Sequence, residues 1–360
     1  MNVLHLLSSG GIGGIETLCK GYVENSVHHN TIVFLWGGGI IADEMIQMGF
    51  DVVNLQTKKK NYLAQFRRIK KLCIDKKIDV VIAHHADPFS HFCLIKIKQK
   101  LPEIKTIAYA HGNALDMARV KHKFAGKLKM KLLSASTKKA NRVVAISQSV
   151  KDSLQQYFKT PENKISVVYN GVDITKFKRI EKDYTSLRII YVGRLIELKG
   201  VQLTLQALVQ IGSINYHFKI VGDGPYKKDL QDMVKELGIA EKVEFLGSRR
   251  DVPELLQAAN VFIHMPIWEE GFGISVIEAM ASGLICICAN NGAIPEIIDD
   301  NIDGYLVKKN NIIELAEKLK MVALLKPDDI SRISENAVKK AEVFSIKNFA
   351  SNLDDLVLKL

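Results

Sequence analysis

The stretch LRIIYVGRLIELKGVQL, residues 187–203, reads as a strand, a loop and the start of a helix. Its first six residues form a short, mostly apolar run with β-branched side chains, which is typical of a buried strand. The loop carries two cations, Arg194 and Lys199, and Gly200 precedes the next apolar segment. A strand followed directly by a helix predicts a βαβ unit, the element from which parallel sheets covered on both faces are built.

The same alternation extends in both directions along the chain. Segments of helical length, such as 62–76 and 88–100, separate further short apolar runs. The pattern predicts an α/β protein of two Rossmann-like, doubly wound domains that face a central cleft, with ligand at the carboxyl ends of the strands. The predicted strands before the opening stretch are NVLHLL, NTIVFLW, DVVNL, DVVIA, KTIAYA, RVVAI and ISVVY, and those after it are YHFKIVG, KVEFLG, ANVFIHM, LICICA and DGYLV.

A break in this pattern marks the domain boundary. The turn signal Asn170-Gly171 is followed by a polar stretch of mixed charge, 175–186, which we expect to be a linker. The expected domains are therefore 1–174 and 187–344. The tail 345–360 has apolar residues at the spacing of an amphipathic helix and is expected to form one.

Composition excludes several classes of protein. Hydrophobic residues make up 47% and charged residues 25%, as in ordinary soluble enzymes. The five cysteines show no Cys-x-x-Cys spacing, and two of them alternate in LICICA, so buried thiols are expected and not a zinc site or disulfide framework. The longest apolar stretch without charge, 31–42, is shorter than the roughly 20 residues of a spanning helix. We expect a cytoplasmic protein whose membrane contact is peripheral.

The charge is distributed unevenly. Residues 1–180 contain 29 Lys and Arg against 13 Asp and Glu, whereas residues 181–360 contain 21 against 26. A basic first half predicts an anionic partner, such as a membrane surface, a phospholipid-linked substrate or nucleic acid.

The segment GGIGGIE, residues 10–16, follows the first strand and resembles a dinucleotide fingerprint. Glu16 stands where the third glycine belongs, and the second strand ends without an acidic residue to hold a ribose, so both features argue against NAD. What remains is a glycine-lined helix start at Gly13 and Gly14, which either presents N–H groups to a phosphate or is only a tight turn.

Two carboxylates stand out in EEGFGISVIEAMASG, residues 269–283. Glu278 lies among apolar residues, where a carboxylate is costly unless it is hydrogen-bonded, and the vicinal hydroxyls of a ribose would serve. Glu270 precedes a Gly-Phe-Gly whose amides suit the hydroxyls of a hexose. The alternative is that Glu270 only complements the helix dipole and Glu278 pairs with a lysine.

The opening loop suggests where a diphosphate binds. Arg194 and Lys199 converge with a helix N-terminus, and both cations suit phosphate oxygens. The alternative is two solvated surface cations.

Together these motifs resemble glycosyltransferase family 4, the glycosyl transferases group 1, which are retaining enzymes of the GT-B fold. The resemblance rests on EGFGISVIEAMASG, GRLIELKG, VGDGP, VEFLG, VVYNGVD and GGIGGIE, which occur in order along nearly the whole chain. It implies transfer of a hexosyl unit from a nucleotide sugar, most often a UDP-sugar, to a hydroxyl of a glycan or lipid-linked glycan in cell-surface polysaccharide biosynthesis, with no metal and no cofactor.

The resemblance also implies that the domain 1–174 binds the acceptor, that 187–344 binds the nucleotide sugar, and that the tail helix 345–360 crosses back to the first domain. It implies roles for individual residues as well. The catalytic group would comprise His111, Glu270, Arg194 and Lys199, with His111 near the anomeric carbon or the sugar's 6-hydroxyl. Donor binding would involve Gly13, Gly14, Arg194, Lys199, Ser248, Arg249, Glu270, Gly271, Phe272, Gly273 and Glu278.

No Asp-x-Asp motif occurs in the chain, so fixed cations and helix termini must stabilise the departing diphosphate. Following the family, the acceptor hydroxyl attacks on the face that the diphosphate leaves, and a leaving phosphate oxygen takes its proton.

A basic segment predicts contact with an anionic membrane or acceptor. RVKHKFAGKLKMKLL, 119–133, places apolar residues at i+4 spacing among cations, and 58–71 is a second basic cluster. The alternative is core-packing helices with lysine-rich solvent faces. Such contact would place the protein on the inner face of the cell membrane. The cations named for this contact are Arg119, Lys121, Lys123, Lys127 and Lys131.

Three other functions are compatible with parts of the sequence. A GT-B sugar-nucleotide epimerase would convert a nucleotide sugar without an acceptor. A nucleic-acid-binding protein is suggested by the pI of about 9.2, but the basic stretches lack interleaved aromatic residues, so no nucleic-acid partner is expected. A dinucleotide-dependent oxidoreductase would bind NAD(P)H.

Overall fold

The computed structural model describes residues 1–55, 62–84, 87–114 and 124–360. The chain divides into two compact units: unit 1 comprises Met1–Gly171 with Ile346–Leu360, and unit 2 comprises Val172–Ser345. Each unit is a parallel sheet with helices, so the predicted α/β class with two Rossmann-like domains is confirmed.

Unit 1 contains a seven-stranded sheet in the order β3-β2-β1-β4-β5-β6-β7. Adjacent strands pair in parallel throughout. The near-continuous apolar sequences follow from this, because a parallel sheet with helices on its faces buries both sides of each strand. The strands are β1 Asn2–Leu7, β2 His29–Phe34, β3 Asp51–Asn54, β4 Val80–Ala83, β5 Lys105–Ala110, β6 Arg142–Ala145 and β7 Ile165–Val167.

The helices of unit 1 occupy the connections between these strands and include the C-terminal segment. Their described ranges are α1 Gly14–Asn25, α2 Ile40–Gln47, α3 Tyr62–Asp75, α4 Pro88–Lys100, α5 Phe124–Lys139, α6 Gln148–Phe158 and, after unit 2, α14 Ile346–Leu358. The predicted helices over 62–76 and 88–100 are thus confirmed.

The tail helix α14 packs on α1 within unit 1. The buried carboxylate of Asp354 accepts hydrogen bonds from Tyr22 Oη at 2.6 Å, Ser26 Oγ at 2.7 Å and the backbone N–H of Val27 at 2.9 Å. The ring of Phe349 lies edge-on to Tyr22. A carboxylate with three donors is well stabilised despite burial, and it ties the chain's last helix to its first.

Unit 2 contains a six-stranded parallel sheet in the order β10-β9-β8-β11-β12-β13. Its strands are β8 Leu187–Val192, β9 Tyr216–Val221, β10 Val243–Gly247, β11 Val261–His264, β12 Ile285–Asn290 and β13 Tyr305–Lys308. Its helices are α7 Val201–Leu208, α8 Lys227–Glu236, α9 Val252–Ala258, α10 Ile274–Ala281, α11 Ile294–Ile297, α12 Ile312–Ala323 and α13 Pro327–Val343. Cys286 and Cys288 are buried in β12, as the sequence predicts.

The segment 175–186, expected to be a linker, belongs to unit 2 and packs on it. Lys182 Nζ donates to the backbone carbonyls of Gln257 and Ala259, each at 2.8 Å, and Arg179 donates to Ser334 Oγ at 2.9 Å. Most of the segment is exposed, as its polar composition suggests, but Lys182 caps carbonyls near the end of α9 and Arg179 binds a hydroxyl on α13.

None of the helices among the described residues is long and apolar enough to span a bilayer.

Candidate functional site

The order of strands in unit 2 reverses between β8 and β11. The chain runs outward from β8 to β9 and β10, then returns to lay β11 on the other side of β8. Loops after two such strands diverge and leave a crevice, the usual ligand site of doubly wound sheets. The loop after β8 contains Arg194 and Lys199, and the loop after β11 contains Glu270.

At this point three side chains form one hydrogen-bonded cluster. Lys199 Nζ lies 2.5 Å from Glu270 Oε2, and His264 Nε2 lies 2.9 Å from the same oxygen. The side chains of Lys199, Glu270 and His264 are only 18%, 12% and 2% exposed. Two of the predicted catalytic residues, 71 positions apart in the sequence, are thereby brought into contact. The carboxylate binds side chains, in contrast to the alternative in which it only complements a helix dipole.

Backbone geometry holds the two loops together. Gly200 has φ of +71°, and a Cβ there would lie 1.8 Å from the carbonyl oxygen of Met265. Only glycine permits this approach of the Lys199 loop to the end of β11. Gly292 acts similarly, since a Cβ would lie 2.4 Å from the backbone nitrogen of Glu270.

The charges in the cluster are fixed by their surroundings. Burial alone would raise the pKa of Glu270, but the hydrogen bond from His264 and the charge of Lys199 outweigh it and hold the pKa well below its ordinary value. Burial lowers the pKa of His264, so its imidazole is neutral at pH 7 and donates from Nε2. The Glu270 carboxylate therefore stays ionised. Its Oε2 accepts two hydrogen bonds, whereas Oε1 accepts none from the described residues.

Arg194 lies on the same loop as Lys199 and is exposed. Among the described residues its guanidinium forms no salt bridge, so all five donors remain for an anion. Lys199 uses one of its three donors on Glu270. The loop can therefore offer charge to a diphosphate without breaking the cluster.

Glu278 lies on α10, half-buried among apolar neighbours. Burial raises its pKa to about 7, and among the described residues it forms no salt bridge, so the alternative of a lysine partner is not what the structure shows. A carboxylate in this state is costly until a donor reaches it.

The remaining predicted donor residues of unit 2 lie on two loops. Phe272 is buried with its ring edge-on to Phe344, and Gly273 precedes α10 with φ of +125°; Gly271 adjoins them. Ser248 and Arg249 follow β10 and are exposed, and Arg249 pairs with Asp251.

Unit 1 holds the other predicted residues. Gly13 is the N-cap residue of α1 and Gly14 is its first residue, after the loop that follows β1. His111 follows β5 and lines a cavity of about 270 Å³ together with Tyr109 and Leu133. The Tyr109 and His111 rings stack at 4.2 Å.

The basic segment is described only in part. Lys127 and Lys131 are exposed on α5, while Arg119, Lys121 and Lys123 lie outside the described residues. In the second basic cluster, residues 58–61 lie outside the described residues, and α3 buries Phe66 while it exposes Arg67, Arg68 and Lys71.

Three histidines that contact residues of the predicted site, directly or through one another, were not identified from the sequence. They are His264 beside Glu270, and His5 and His84, which connect to His111 in unit 1. A histidine inside an apolar strand, as in NVLHLL and VFIHM, is the signal that could have identified two of them.

Comparison with solved structures places this fold in a class. The structure of Anabaena Alr3699/HepE in complex with UDP matches over 100% of both chains, with a TM-score of 0.85 and 20% identity. The same protein solved in complex with UDP-glucose matches equally well. At this identity the likeness shows the fold, which is that of GT-B glycosyltransferases.

The sequence comparisons are more specific. The family model of glycosyl transferases group 1 matches residues 172–340, and that of glycosyltransferase family 4 matches residues 13–176. N-acetyl-alpha-D-glucosaminyl L-malate synthase of Bacillus anthracis is 28% identical over 75% of this chain and 71% of that protein. UDP-Gal:alpha-D-GlcNAc-diphosphoundecaprenol alpha-1,3-galactosyltransferase of Escherichia coli is 26% identical over 86% and 81%. The chain belongs to the family 4, group 1 glycosyltransferases.

Proposed function

We propose that this glycosyltransferase moves a hexosyl unit from a UDP-sugar to a hydroxyl of a glycan or lipid-linked glycan, with retention of anomeric configuration and without a metal. The observation that carries the proposal is the cluster of Lys199, Glu270 and His264 at the switch point of unit 2, with Arg194 exposed beside it.

The diphosphate of the donor binds Arg194 and Lys199. Arg194 supplies a planar fork suited to two phosphate oxygens, and Lys199 supplies its two remaining donors. Gly13 and Gly14 contribute the start of α1, as the family resemblance implies. The two vicinal hydroxyls of the ribose donate to the half-buried carboxylate of Glu278, which has no other donor among the described residues. Ser248 and Arg249 flank the nucleobase.

The hexose binds Glu270 and the amides of the Gly271–Gly273 segment. Lys199 and His264 occupy Oε2, so Oε1 accepts from a sugar hydroxyl. Because the pKa of Glu270 is held low, the carboxylate remains an acceptor throughout the neutral range. His111 contacts the sugar, with the role implied by the family.

The reaction balances within these groups. The bond between the anomeric carbon and the phosphate oxygen breaks as the acceptor oxygen bonds to the same face of that carbon. The acceptor's proton passes to a leaving phosphate oxygen. Negative charge grows on the diphosphate, and preorganised donors such as Arg194 and Lys199 contribute about 2.7–4 kcal/mol each to stabilising that charge.

The acceptor is proposed from relatives and charge. By their names, one relative is an N-acetyl-alpha-D-glucosaminyl L-malate synthase, and another transfers galactose to a GlcNAc-diphosphoundecaprenol, which is a lipid-linked sugar. The exposed cations Lys127 and Lys131, with the basic residues before them, favour an acceptor held at an anionic membrane, at the inner face of the cell membrane.

The test uses purified protein, a panel of nucleotide sugars and detection of released nucleotide, with product anomers assigned by NMR. Lys199→Ala abolishes release, whereas Lys340→Ala, which removes a lysine paired with Asp299 at 2.7 Å elsewhere in unit 2, leaves it intact. Full activity in Lys199→Ala would refute the assigned role. Conversion of a nucleotide sugar without acceptor would instead indicate an epimerase.

Metal independence is tested separately. Addition of EDTA leaves turnover unchanged, because the cations of the loop replace the metal. Loss of turnover that manganese restores would contradict this part of the proposal.

A further inference from the structure

An apolar cavity of about 270 Å³ lies within unit 1 at the carboxyl end of β5. Its apolar walls come from β5, α5 and α6 and include Ala108, Ala110, Leu133, Leu154 and Phe158. All five of these side chains are buried. His111 lines the same cavity, but in the proposed function no group of the donor fills it.

Hydrogen bonds between the surrounding elements hold the walls in place. Ser134 Oγ donates to the backbone carbonyl of Phe158 at 3.0 Å and so joins α5 to α6. The backbone N–H of Ala114, three residues after His111, donates to Ser153 Oγ of α6 at 3.0 Å. Because these bonds are buried or half-buried, the space between the elements is preformed, as is usual for sites that bind small molecules.

The lining of the cavity selects a hydrocarbon as its occupant. Sugar hydroxyls placed against these walls would lose water without gaining hydrogen bonds, which is costly. The Thr137 hydroxyl also lines the cavity, but it already donates to the backbone carbonyl of Ser134 at 3.0 Å. Since an apolar cavity of about 150 Å³ binds benzene, one of about 270 Å³ has room for on the order of ten carbons.

A cation lies on the cavity side of α5. Lys129 precedes Leu133 by four residues, so the two share a face of the helix, and helical side chains tilt toward the N-terminus. Because α5 connects the parallel strands β5 and β6, it begins at the carboxyl edge of the sheet, the edge where His111 lies. Among the described residues the Lys129 ammonium group forms no hydrogen bond or salt bridge, so its three donors are available to an anion at that edge.

We propose that this cavity binds the apolar chain of a lipid-linked acceptor, with Lys129 on the phosphate that adjoins the chain. The exposed cations of the same helix, Lys127 and Lys131, suit the anionic surface in which the rest of such a lipid resides. The cavity's role as an acceptor site rests on the proposed function, whereas its affinity for an apolar phosphate does not.

The experiment measures binding of methyl, prenyl, geranyl and farnesyl phosphate to the full-length protein by isothermal titration calorimetry. Excess UDP, and a repeat in Arg194→Ala, remove any contribution from the proposed diphosphate site. Affinity should rise by about fourfold for each methylene buried and should level off at the ten carbons of the geranyl chain, where the cavity is full. Inorganic phosphate and geraniol should each bind at least about tenfold more weakly than geranyl phosphate. An affinity that keeps rising through farnesyl phosphate, or no binding of geranyl phosphate, would overturn the proposal.

Variants in the walls locate the apolar chain. Leu133→Phe fills the cavity from α5 and Leu154→Phe fills it from α6, so each should weaken geranyl phosphate by at least about tenfold, with circular dichroism showing that the fold is kept. Leu133→Ala enlarges the cavity and should bind farnesyl phosphate more tightly than the native protein does, a gain that general damage would not give. Native affinity in both phenylalanine variants would overturn the proposal.

A matched pair of lysine variants locates the phosphate. Lys129→Met should weaken geranyl phosphate by about fivefold. Lys138→Met removes an exposed lysine from the other end of α5 and should leave the affinity unchanged. Equal losses in the two variants would show that the net charge of the helix, and not the position of Lys129, attracts the phosphate.

Transfer assays separate the acceptor site from the proposed function. Leu133→Phe should raise the KM for a lipid-linked acceptor with kcat little changed, whereas Lys138→Met should not. An unchanged KM in a Leu133→Phe variant that no longer binds geranyl phosphate would refute the acceptor role. Absence of transfer with every nucleotide sugar would refute the proposed function, while the calorimetry would still decide whether the cavity binds an apolar phosphate.

Discussion

Removal of the Lys199–Glu270 pair tests the energetic basis of the site. Lys199 Nζ and Glu270 Oε2 are 2.5 Å apart and both side chains are largely buried. At an effective dielectric constant of about 20, two unit charges at this distance attract by about 7 kcal/mol. Desolvation of a carboxylate and an ammonium offsets several kcal/mol of this attraction. We expect a net coupling free energy of about 2–3 kcal/mol.

The assay is a double-mutant cycle of Lys199→Met and Glu270→Gln. Urea unfolding is followed by tryptophan fluorescence in a Trp36→Phe background, where Trp268 is the remaining tryptophan. That residue reports on the pair directly, because Lys199 Nζ lies 5.7 Å from the centre of its ring. Of the variants in the cycle, Lys199→Met alone should lower the free energy of unfolding most. It leaves the Glu270 carboxylate charged in a low-dielectric site, with His264 as its remaining side-chain donor among the described residues.

The pair Lys340–Asp299 is the matched control. Its ions are 2.7 Å apart in the same unit, but the Asp299 side chain is 51% exposed. Exposed pairs couple by about 0–1 kcal/mol. If the Lys199–Glu270 coupling is no larger than that of the control, the argument that burial strengthens this pair is wrong.

Three further perturbations have defined outcomes. Glu278→Gln should stabilise unit 2 by on the order of 2 kcal/mol above pH 7. The pKa of Glu278 is raised to about 7 in the folded protein, so the free energy of unfolding of the native protein falls as pH rises from about 4.5 to 7. Urea melts in which the native protein and the variant show the same pH dependence would contradict this. Asp354→Ala should lower the free energy of unfolding by about 2–4 kcal/mol, since three donors lose their acceptor, and amide hydrogen exchange in the tail helix α14 should become faster. Unchanged exchange protection of α14 would contradict the role of Asp354 in holding this helix on α1. Gly200→Ala should abolish transfer and lower the melting temperature, because the added Cβ meets the Met265 carbonyl. Gly238 has a similar φ but open space around it, so Gly238→Ala should lower the free energy of unfolding by only about 1 kcal/mol. Equal losses of stability in the two variants would show that backbone strain alone, and not the clash with Met265, sets the cost.

The proposed donor site is also a compromise between stability and chemistry. Among the described residues the Glu278 carboxylate has no hydrogen bond or ion pair, and burial raises its pKa to about 7, so its charged form costs stability at that position. Sites with buried charges commonly carry such a cost, and mutations that relieve it tend to stabilise the fold and weaken function.

Local sequence was sufficient for the elements of the fold. Each apolar run predicted to be a strand forms one, since a parallel strand buried on both faces must be apolar along its whole length. The motifs around Arg194, Lys199 and Glu270 were identifiable for a related reason. Backbone close approach demands glycine at positions such as Gly200, and charge beside such a glycine marks a loop at a strand end.

Sequence did not decide which side chains meet. The segment 175–186 has the composition of a linker, yet it packs on unit 2, because its cations find carbonyls far away in the sequence. The register between strands decides that His264 of β11 contacts Glu270. It also decides that His5 and His84 lie next to each other and that His84 contacts His111. Register is set by the packing of whole strands, which no short stretch encodes.

The amino-acid sequence by itself therefore determined two doubly wound sheets, a family and the loops that bear charge, because these follow from local hydrophobicity, glycine and short motifs. The tertiary structure alone decided the partners of those charges: Lys199 and His264 on one oxygen of Glu270, and His5 and His84 behind His111. Hydrogen bonds and ion pairs need atoms within about 3 Å, and only the folded chain brings such distant residues to that distance.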